Sequence, residues 1–426
     1  MTTQTKSQSY ALPIAMMFAL FFMIAFVTGL QNPMGVIVKN QFHASNFLSQ
    51  LGNFANFIAY AFMGIPAGMM LQKIGYKKTA LTAILVGIAG VGITYLSGQS
   101  GSFPVYLIGA FISGFSMCML NTVVNPMLNT LGGEGKKGNQ LLQFGGALNS
   151  MGATIVPVLV GYLMGDVTRA TISDANPAIF LAIGIFILAF LVLYLMKIPE
   201  PHIIREKSLE KNAHSPLSFR HFTLGALAIF VYVGTEVGIP NIANLYMTGD
   251  LKINATTAGT VVGTYWFLML IGRLIGGLLG AKFSSKAMLT FVSLLALLMV
   301  TLAILLPKDQ VVSMPVFRSD ISFGLAEVPL SVTLLVLCGL CTSVMWGGIF
   351  NLATAGLGKY TASASGIFMV MVCGGGIIPA IQGWAADLFG YIESYWVIVI
   401  CLLYILFYAL AGSKNVNPDI PVQQLL

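Results

Sequence analysis

Stretches of twenty or more mostly apolar residues follow one another along nearly the whole of this chain, and no other feature limits its fold so severely. The hydrocarbon core of a bilayer takes about 20 helical residues to cross, and inside it only helices or a closed barrel satisfy the backbone. Such stretches are read over 11–37, 47–72, 78–97, 103–131, 138–165, 177–197, 221–248, 254–281, 286–306, 328–357, 361–386 and 391–412. Only 8% of the 426 residues are charged, against roughly 25% in an average soluble domain. The expected fold is therefore an all-α membrane protein of twelve transmembrane helices, with no soluble domain between the spans.

The N-terminus carries one Lys ahead of a long apolar stretch and no small-residue cleavage pattern, so the first segment is expected to be a retained helix. Loop Lys and Arg set orientation. If the helices alternate, Lys39, Arg169, Lys252, Lys308 and Arg318 fall on one side, Arg273 lies within a span, and all remaining Lys and Arg fall on the other side. Both termini are then cytoplasmic, in a bacterial inner membrane. The net charge of +7 follows from this loop bias and calls for no nucleic-acid partner; the expected partners are the lipid bilayer and a small molecule, with the chain acting as a monomer.

The most polar stretch, "KIPEPHIIREKSLEKNAHSPLSFRH" at 197–221, divides the spans six and six. Two pseudo-symmetric six-helix bundles are expected, 1–197 and 221–426, joined by a cytoplasmic linker at 198–220. Matching motifs recur in the same order in both halves. "GIPAGMMLQKIGYK" from Gly64 resembles "RLIGGLLGAKFSSK" from Arg273, which pairs Gly68, Lys73 and Lys77 with Gly277, Lys282 and Lys286. "NPMLNTLG" from Asn125 parallels "NLATAGLG" from Asn351, and "IVPVLVG" (155–161) parallels "IIPAIQG" (377–383). Duplicated halves that hold a substrate between them and rock to alternate access are a common transporter plan.

Of the 14 acids, only Glu236, within "VYVGTEVGIP" (231–240), lies deep in a span. A carboxylate at the bilayer centre costs roughly 2.5–3.5 kcal/mol on insertion scales, so it marks a functional site by default. Glu236 is expected to couple an ion or read a substrate hydroxyl; the alternative is a protonated carboxyl that bonds a neighbouring helix. Tyr232 lies one turn before it, and Pro240, one turn after, frees a backbone carbonyl. Arg273 is read as a structural or gating residue near the cytoplasmic third of its helix, where it can snorkel or bond helix-end carbonyls, with a direct pair to Glu236 as the less favoured alternative because their depths on antiparallel helices do not obviously match; Lys73 and Lys77 are read as structural or gating too.

Buried amides need partners, so Gln31, Asn32, Asn121, Asn125, Gln143, Asn149, Asn241 and Asn351 are expected to face other helices or a wet cavity. As a set they suit a neutral, hydroxyl-rich ligand, because amides donate and accept. Trp266 and Trp346 are placed to stack on the apolar face of a sugar ring. Cys118, Cys338, Cys341, Cys373 and Cys401 lie in apolar spans without ligand spacing and read as packing residues. No metal site, cofactor, phosphate-binding loop or nucleophile constellation is found, so an enzyme or a primary pump is not expected. The coupling ion is left as a proton or sodium.

Several motifs together resemble the fucose, glucose and galactose symporters of the major facilitator superfamily: "NTVVNPMLNTLG" (121–132), "LNSMGA" (148–153), "VYVGTEVG" (231–238), "IGRLIGGLLGAKF" (271–283), "IFNLATAGLGKY" (349–360) and "GGGIIPAIQGWAAD" (374–387). The superfamily's loop between helices two and three is matched by "GMMLQKIGYKK" (68–78), with Gln72 where an Asp is usual. The resemblance implies the twelve-helix fold, alternating access, and cation-driven uptake of a hexose or deoxyhexose. Proton-driven fucose transporters carry an Asp where this chain has Asn32, and many members carry a Glu where it has Asn121. Both positions are neutral here, which leaves Glu236 as the deep acid. An uncoupled facilitator and a multidrug exporter of the same superfamily are the rival readings.

Overall fold

The computed structural model describes residues 10–42, 46–133, 135–164, 171–200, 214–307, 310–318, 320–417 and 419–422. Thirteen α-helices build the twelve expected spans among these residues. The first half holds α1 (Ala11–Gln41), α2 (Asn46–Ser100), α3 (Phe103–Leu131), α4 (Gly135–Met164) and α5 (Asn176–Leu195). Helix α2 supplies two spans, because Gly75 at φ 83° and ψ 177° turns the chain at the Lys-rich end. That left-handed value suits glycine, which has no Cβ to clash.

The second half holds α6 (Arg220–Gly249), α7 (Ala255–Gly280), α8 (Ser285–Leu305), α9 (Leu330–Thr342), α10 (Met345–Thr354), α11 (Thr361–Met371), α12 (Gly374–Phe389) and α13 (Trp396–Phe407). Two expected spans are broken in the middle. The tenth is α9 plus α10, which meet at Ser343 and Val344, and the eleventh is α11 plus α12, which meet at Val372 and Cys373. Runs of Gly around both breaks, "WGG" and "CGGG", weaken the helix locally. The last helix ends in a π-helical turn, Tyr408–Gly412. Asn254 and Ser284 fix the starts of α7 and α8 by accepting the amides of Thr257 and Ala287, as N-caps do.

One element departs from the sequence reading. A β-hairpin, β1 (Val311–Phe317) and β2 (Phe323–Pro329), joins α8 to α9. Its strands pair antiparallel from Val311↔Pro329 to Phe317↔Phe323, so the tenth span starts at Leu330 and not at 328. The hairpin is docked on α7: the Phe317 amide donates to Thr264 Oγ1 at 2.9 Å, and the Phe317 ring stacks on Phe267 at 4.3 Å between centroids.

Helices that are apolar all round face outward. Leu188, Leu191 and Leu195 of α5 and Phe291, Leu294 and Leu298 of α8 are exposed, as lipid contact requires. The halves meet along two crossings, α2 with α11 and α4 with α7. At the first, a Cβ on Gly64 would lie 2.6 Å from the Val370 nitrogen, and one on Gly366 would lie 2.6 Å from the Gly64 oxygen. Backbones in direct contact are the way helices associate tightly in lipid.

Candidate functional site

Between the halves, about halfway along α6 and α7, lies a cavity of about 240 Å³. Its first-half wall includes Phe21, Thr28, Phe57, Tyr60, Asn121, Gln143, Gly146 and Asn149, and its second-half wall Glu236, Trp266, Arg273, Ser343, Trp346 and Met369. Both walls carry aromatic side chains, the amides Asn121, Gln143 and Asn149 all come from the first half, and the charges come from one pair in the second.

That pair corrects the reading of Arg273. The guanidinium does not reach for the helix end; its Nη2 donates to Glu236 Oε1 at 3.1 Å, with both side chains largely buried. Its Nη1 crosses to the other half, donating to the Gly146 carbonyl at 2.9 Å and to Ser150 Oγ at 2.6 Å. Nε reaches the Ser343 carbonyl at the break in the tenth span, at 3.4 Å. Helices that run antiparallel bring Glu236 and Arg273 to one depth because Arg273 lies seven residues short of its helix end, further in than a snorkelling side chain needs. The carbonyl of Glu236, freed by Pro240, accepts the Tyr265 hydroxyl at 3.1 Å.

The amides are oriented by backbone carbonyls. Asn121 Nδ2 donates to the Met117 carbonyl and to Tyr60 Oη, at 3.1 and 3.0 Å. Gln143 Nε2 donates across the halves to the Val344 carbonyl at 2.9 Å, and Asn149 Nδ2 to the Phe21 carbonyl at 3.4 Å. Below the cavity, Trp346 Nε1 donates to Asn125 Oδ1 at 3.0 Å, and Asn125 Nδ2 to the Asn121 carbonyl at 2.8 Å. Farther toward the Lys-rich end, Asn351 Nδ2 donates to Asn129 Oδ1 at 2.8 Å and Asn129 Nδ2 to Thr354 Oγ1 at 3.1 Å. Ser285 Oγ completes this cluster on Asn351 Oδ1 at 2.9 Å. These layers of hydrogen bonds close one end of the cavity.

The structure thus brings together Asn121, Gln143, Asn149, Glu236, Trp266, Trp346 and Arg273. It puts Asn125 just beneath the cavity and Asn351 in the closed end, both bonded across the halves. Asn241 is exposed on α6, away from the cavity lining. Gln31 and Asn32 lie on α1, with side chains outside the described residues. Lys73 is exposed at the Lys-rich end, and Lys77 Nζ there caps the carbonyls of Tyr194 and Met196 at 2.7 and 2.6 Å. Sequence reasoning missed Tyr60, Asn129 and Ser150. Asn129 had a signal, four residues after Asn125 and eight after Asn121, on the same helix face; Tyr60 had none.

Two helical bundles around a cavity of this kind define a membrane transporter. The chain belongs to the major facilitator superfamily, whose family model matches residues 17–378 and 224–423. It is 31% identical to a putative glucose/galactose transporter of Helicobacter pylori, over 96% of this chain and 99% of that protein. It is 28% identical to the glucose/galactose transporter of Brucella abortus, over 97% of each, and 24% identical to the L-fucose–proton symporter of Escherichia coli, over 96% of this chain and 95% of that one. Among solved structures it matches FucP, a major facilitator superfamily transporter in the outward conformation, with a TM-score of 0.82 at 22% identity, covering 96% of this chain and all of that one. The protein is a multi-pass membrane transporter and not an enzyme.

Proposed function

We propose that this chain imports a neutral monosaccharide, a hexose or deoxyhexose, by alternating access coupled to a proton gradient. The observation that carries the reading is the cavity: about 240 Å³, smaller than the ~300–1,000 Å³ of drug-sized ligand sites, with amides and two indoles around one internally neutralised ion pair. Aromatic faces suit the C–H face of a sugar ring, amides suit its hydroxyls, and a balanced pair favours a ligand without charge. The names of the glucose/galactose and fucose relatives support the same substrate class. A lipophilic cation, as a drug exporter would carry, finds Glu236 already engaged by Arg273.

The pair also bears on the ion. A sodium ion on Glu236 would sit near the guanidinium, and like charges about 4 Å apart repel by about 4 kcal/mol at an effective dielectric of 20. A proton on the carboxyl gives up the same attraction, but it needs no shell of oxygen ligands around it. Of the two amides that could lend an oxygen to sodium beside Glu236, Asn241 is exposed and Asn121 alone lines the cavity. The two bundles, 1–197 and 221–426 with the linker at 198–220, act as the rocking bodies. With the Lys-rich end cytoplasmic, both termini lie inside a bacterial plasma membrane, the closed end is the cytoplasmic one, and a monomer embedded in lipid carries out the cycle. No cofactor is required.

Uptake of labelled glucose, galactose and fucose into proteoliposomes tests this. Accumulation under an imposed proton gradient is expected. Stimulation by a sodium gradient alone would replace the proton, equilibration without stimulation by either would make the chain a facilitator, and no sugar uptake would overturn the reading.

A further inference from the structure

Arg273 is bonded into both halves of the molecule at once. Two of its bonds stay in the second half, from Nη2 to Glu236 Oε1 and from Nε to the Ser343 carbonyl. Two cross to the first half, from Nη1 to the Gly146 carbonyl and to Ser150 Oγ. The crossing acceptors lie one helical turn apart on one face of α4. Gly146 lets the side chain come close to them: a Cβ there would stand 3.3 Å from Arg273 Cδ and 3.4 Å from Nε. From this point to the Lys-rich end α7 and α4 stay in contact, at Gly277 with Phe144 and at Gly280 with Gln140. Opening that end therefore parts Nη1 from both of its first-half acceptors.

The cost of that parting depends on the charge of Glu236. Tyr232 on its own helix and Tyr265 on α7 are the other titratable side chains that face it beside Arg273. Of the remaining helices packed against α6, α9, α10, α11 and α13 contain no Asp, Glu, Lys, Arg or His, and α12 contains only Asp387, in its last turn. While the carboxylate is ionised, the guanidinium keeps its counter-charge within its own half, and the halves can part with the pair intact. Once the carboxyl is protonated, the cation has lost its counter-ion and depends on neutral acceptors, two of which belong to the other half. A buried charge stripped of its partners is the expensive case. A hexose in the cavity, which Arg273 lines, offers hydroxyl oxygens in place of those two acceptors.

We infer that Arg273 makes proton entry wait for the sugar: its bonds to Gly146 and Ser150 hold the closed end shut while Glu236 is protonated and the cavity is empty, and a sugar hydroxyl releases them by taking their place. This rests on the proton-coupled monosaccharide reading and deepens it. The empty carrier with ionised Glu236 can return, the carrier with proton and sugar can cross, and the carrier with a proton alone is held.

The test uses proteoliposomes that enclose a pH-sensitive dye, with and without a labelled hexose. Under an imposed proton gradient the unaltered protein should admit protons only when hexose is added. Ser150→Ala removes one crossing acceptor and leaves the carboxyl untouched. It should raise proton entry without sugar about tenfold or more, the factor that one hydrogen bond to a charged group supplies. Ser150→Thr, which restores a hydroxyl, should bring that entry back down. Hexose counterflow in each variant reports that it is folded. Glu236→Gln gives a second reading, because a neutral amide stands in for the protonated acid. Its counterflow should persist while efflux into sugar-free buffer, which needs the empty carrier to return, stalls; Ser150→Ala added to it should restore efflux. The inference alone is overturned by Ser150→Ala that exchanges hexose yet admits no extra protons, or by Glu236→Gln whose efflux is as fast as that of the unaltered protein. A double variant that still exchanges hexose but whose efflux stays stalled overturns it too. Unaltered protein without hexose counterflow, or in which hexose brings in no protons, would overturn the functional reading and this inference with it.

Discussion

The second and eighth spans are equivalents in the duplicated halves, and each crosses a helix of the opposite half. The second span meets α11 glycine on glycine: a Cβ on Gly68 would lie 3.0 Å from the Gly366 Cα. The eighth span, α7, meets α4 at the matching place, where a Cβ on Gly277 would lie 2.6 Å from the Phe144 ring. One turn of helix earlier the two part company. The first crossing has Gly64, seated on the backbone of Gly366 and Val370; the second has Arg273, reaching Gly146, Ser150 and Glu236. The same backbone geometry thus serves as a dry contact in one place and as the frame of a charged site in the other. The ion pair sits where the repeat tolerates a long side chain, and the packing burden falls on the crossing that kept its glycines.

The largest expected effect comes from the charged crossing. Removing one partner of a buried ion pair costs on the order of 3–5 kcal/mol, whereas removing both often costs little. Arg273→Gln should therefore lower the thermal stability of the purified transporter more than Arg273→Gln combined with Glu236→Gln. Glu236→Gln alone keeps an oxygen for the guanidinium; it should abolish accumulation driven by a proton gradient and leave counterflow. Strictly additive losses in the double variant would show that the two residues do not act as a unit.

The dry crossing should respond next. Gly366→Ala drives a methyl into backbone atoms of Gly64 and Gly68, which have nowhere to turn, while Gly277→Ala meets a ring that can tilt. Overpacking of the first kind costs about 1–3 kcal/mol, and Gly366→Ala should lose more of the melting temperature and of the transport rate than Gly277→Ala. Equal losses would mean that the crossings are equally tight and that the glycine asymmetry has no consequence.

Much of this design was legible in the chain. Apolar length gave the spans, since bilayer thickness leaves a helix few alternatives, and the paired motifs at Gly64 and Arg273 pointed to the duplicated halves. Glu236 stood out for the same reason that makes it costly. The partner of Glu236 was not legible: whether an Arg seven residues from a helix end reaches back to lipid headgroups or inward to a carboxylate depends on how two helices cross, and periodicity within one helix is silent on that. The exchange of Asn351 from an expected ligand contact to a bond with Asn129 has the same origin, because a buried amide shows only that it needs a partner. The hairpin at 311–329 was absorbed into loop and span because its alternation of buried and exposed residues is short and its buried residues are as apolar as a helix's.

The closed end of the cavity tests whether the amide layers matter to the conformational cycle or merely fill space. Asn351→Ala leaves Asn129 Oδ1 and Ser285 Oγ without the partner they have at that position, and a buried group left unpaired costs about 1–3 kcal/mol. That cost falls on the closed arrangement, in which the halves touch there. Faster backbone hydrogen exchange over 345–354 and 121–131 is expected, with counterflow retained. Unchanged exchange in both segments would show that the layers do not hold the end shut.

The smallest effect belongs to the lysines that the repeat pairs. Lys77 and Lys286 perform one task at equivalent places: each donates to carbonyls at the end of the last helix of its own half, Tyr194 and Met196 for Lys77, and Leu410 at 2.9 Å for Lys286. A cation at a helix C-terminus contributes about 0.3–1 kcal/mol. The first half adds a device that, among the described residues, the repeat equivalent at Lys286 does not show. Glu200, from the start of the linker, accepts the amides of Tyr76 and Lys77 at 2.5 and 3.0 Å where Gly75 breaks the helix, so the linker is fastened to the very turn whose lysine caps α5. Lys77→Met should accordingly cost more stability than Lys286→Met, and Glu200→Ala should remove most of that difference when it is introduced beside each. If the two lysine variants melt together in both backgrounds, the fastening of the linker adds nothing to the cap, and the symmetry of the two halves at this end is complete.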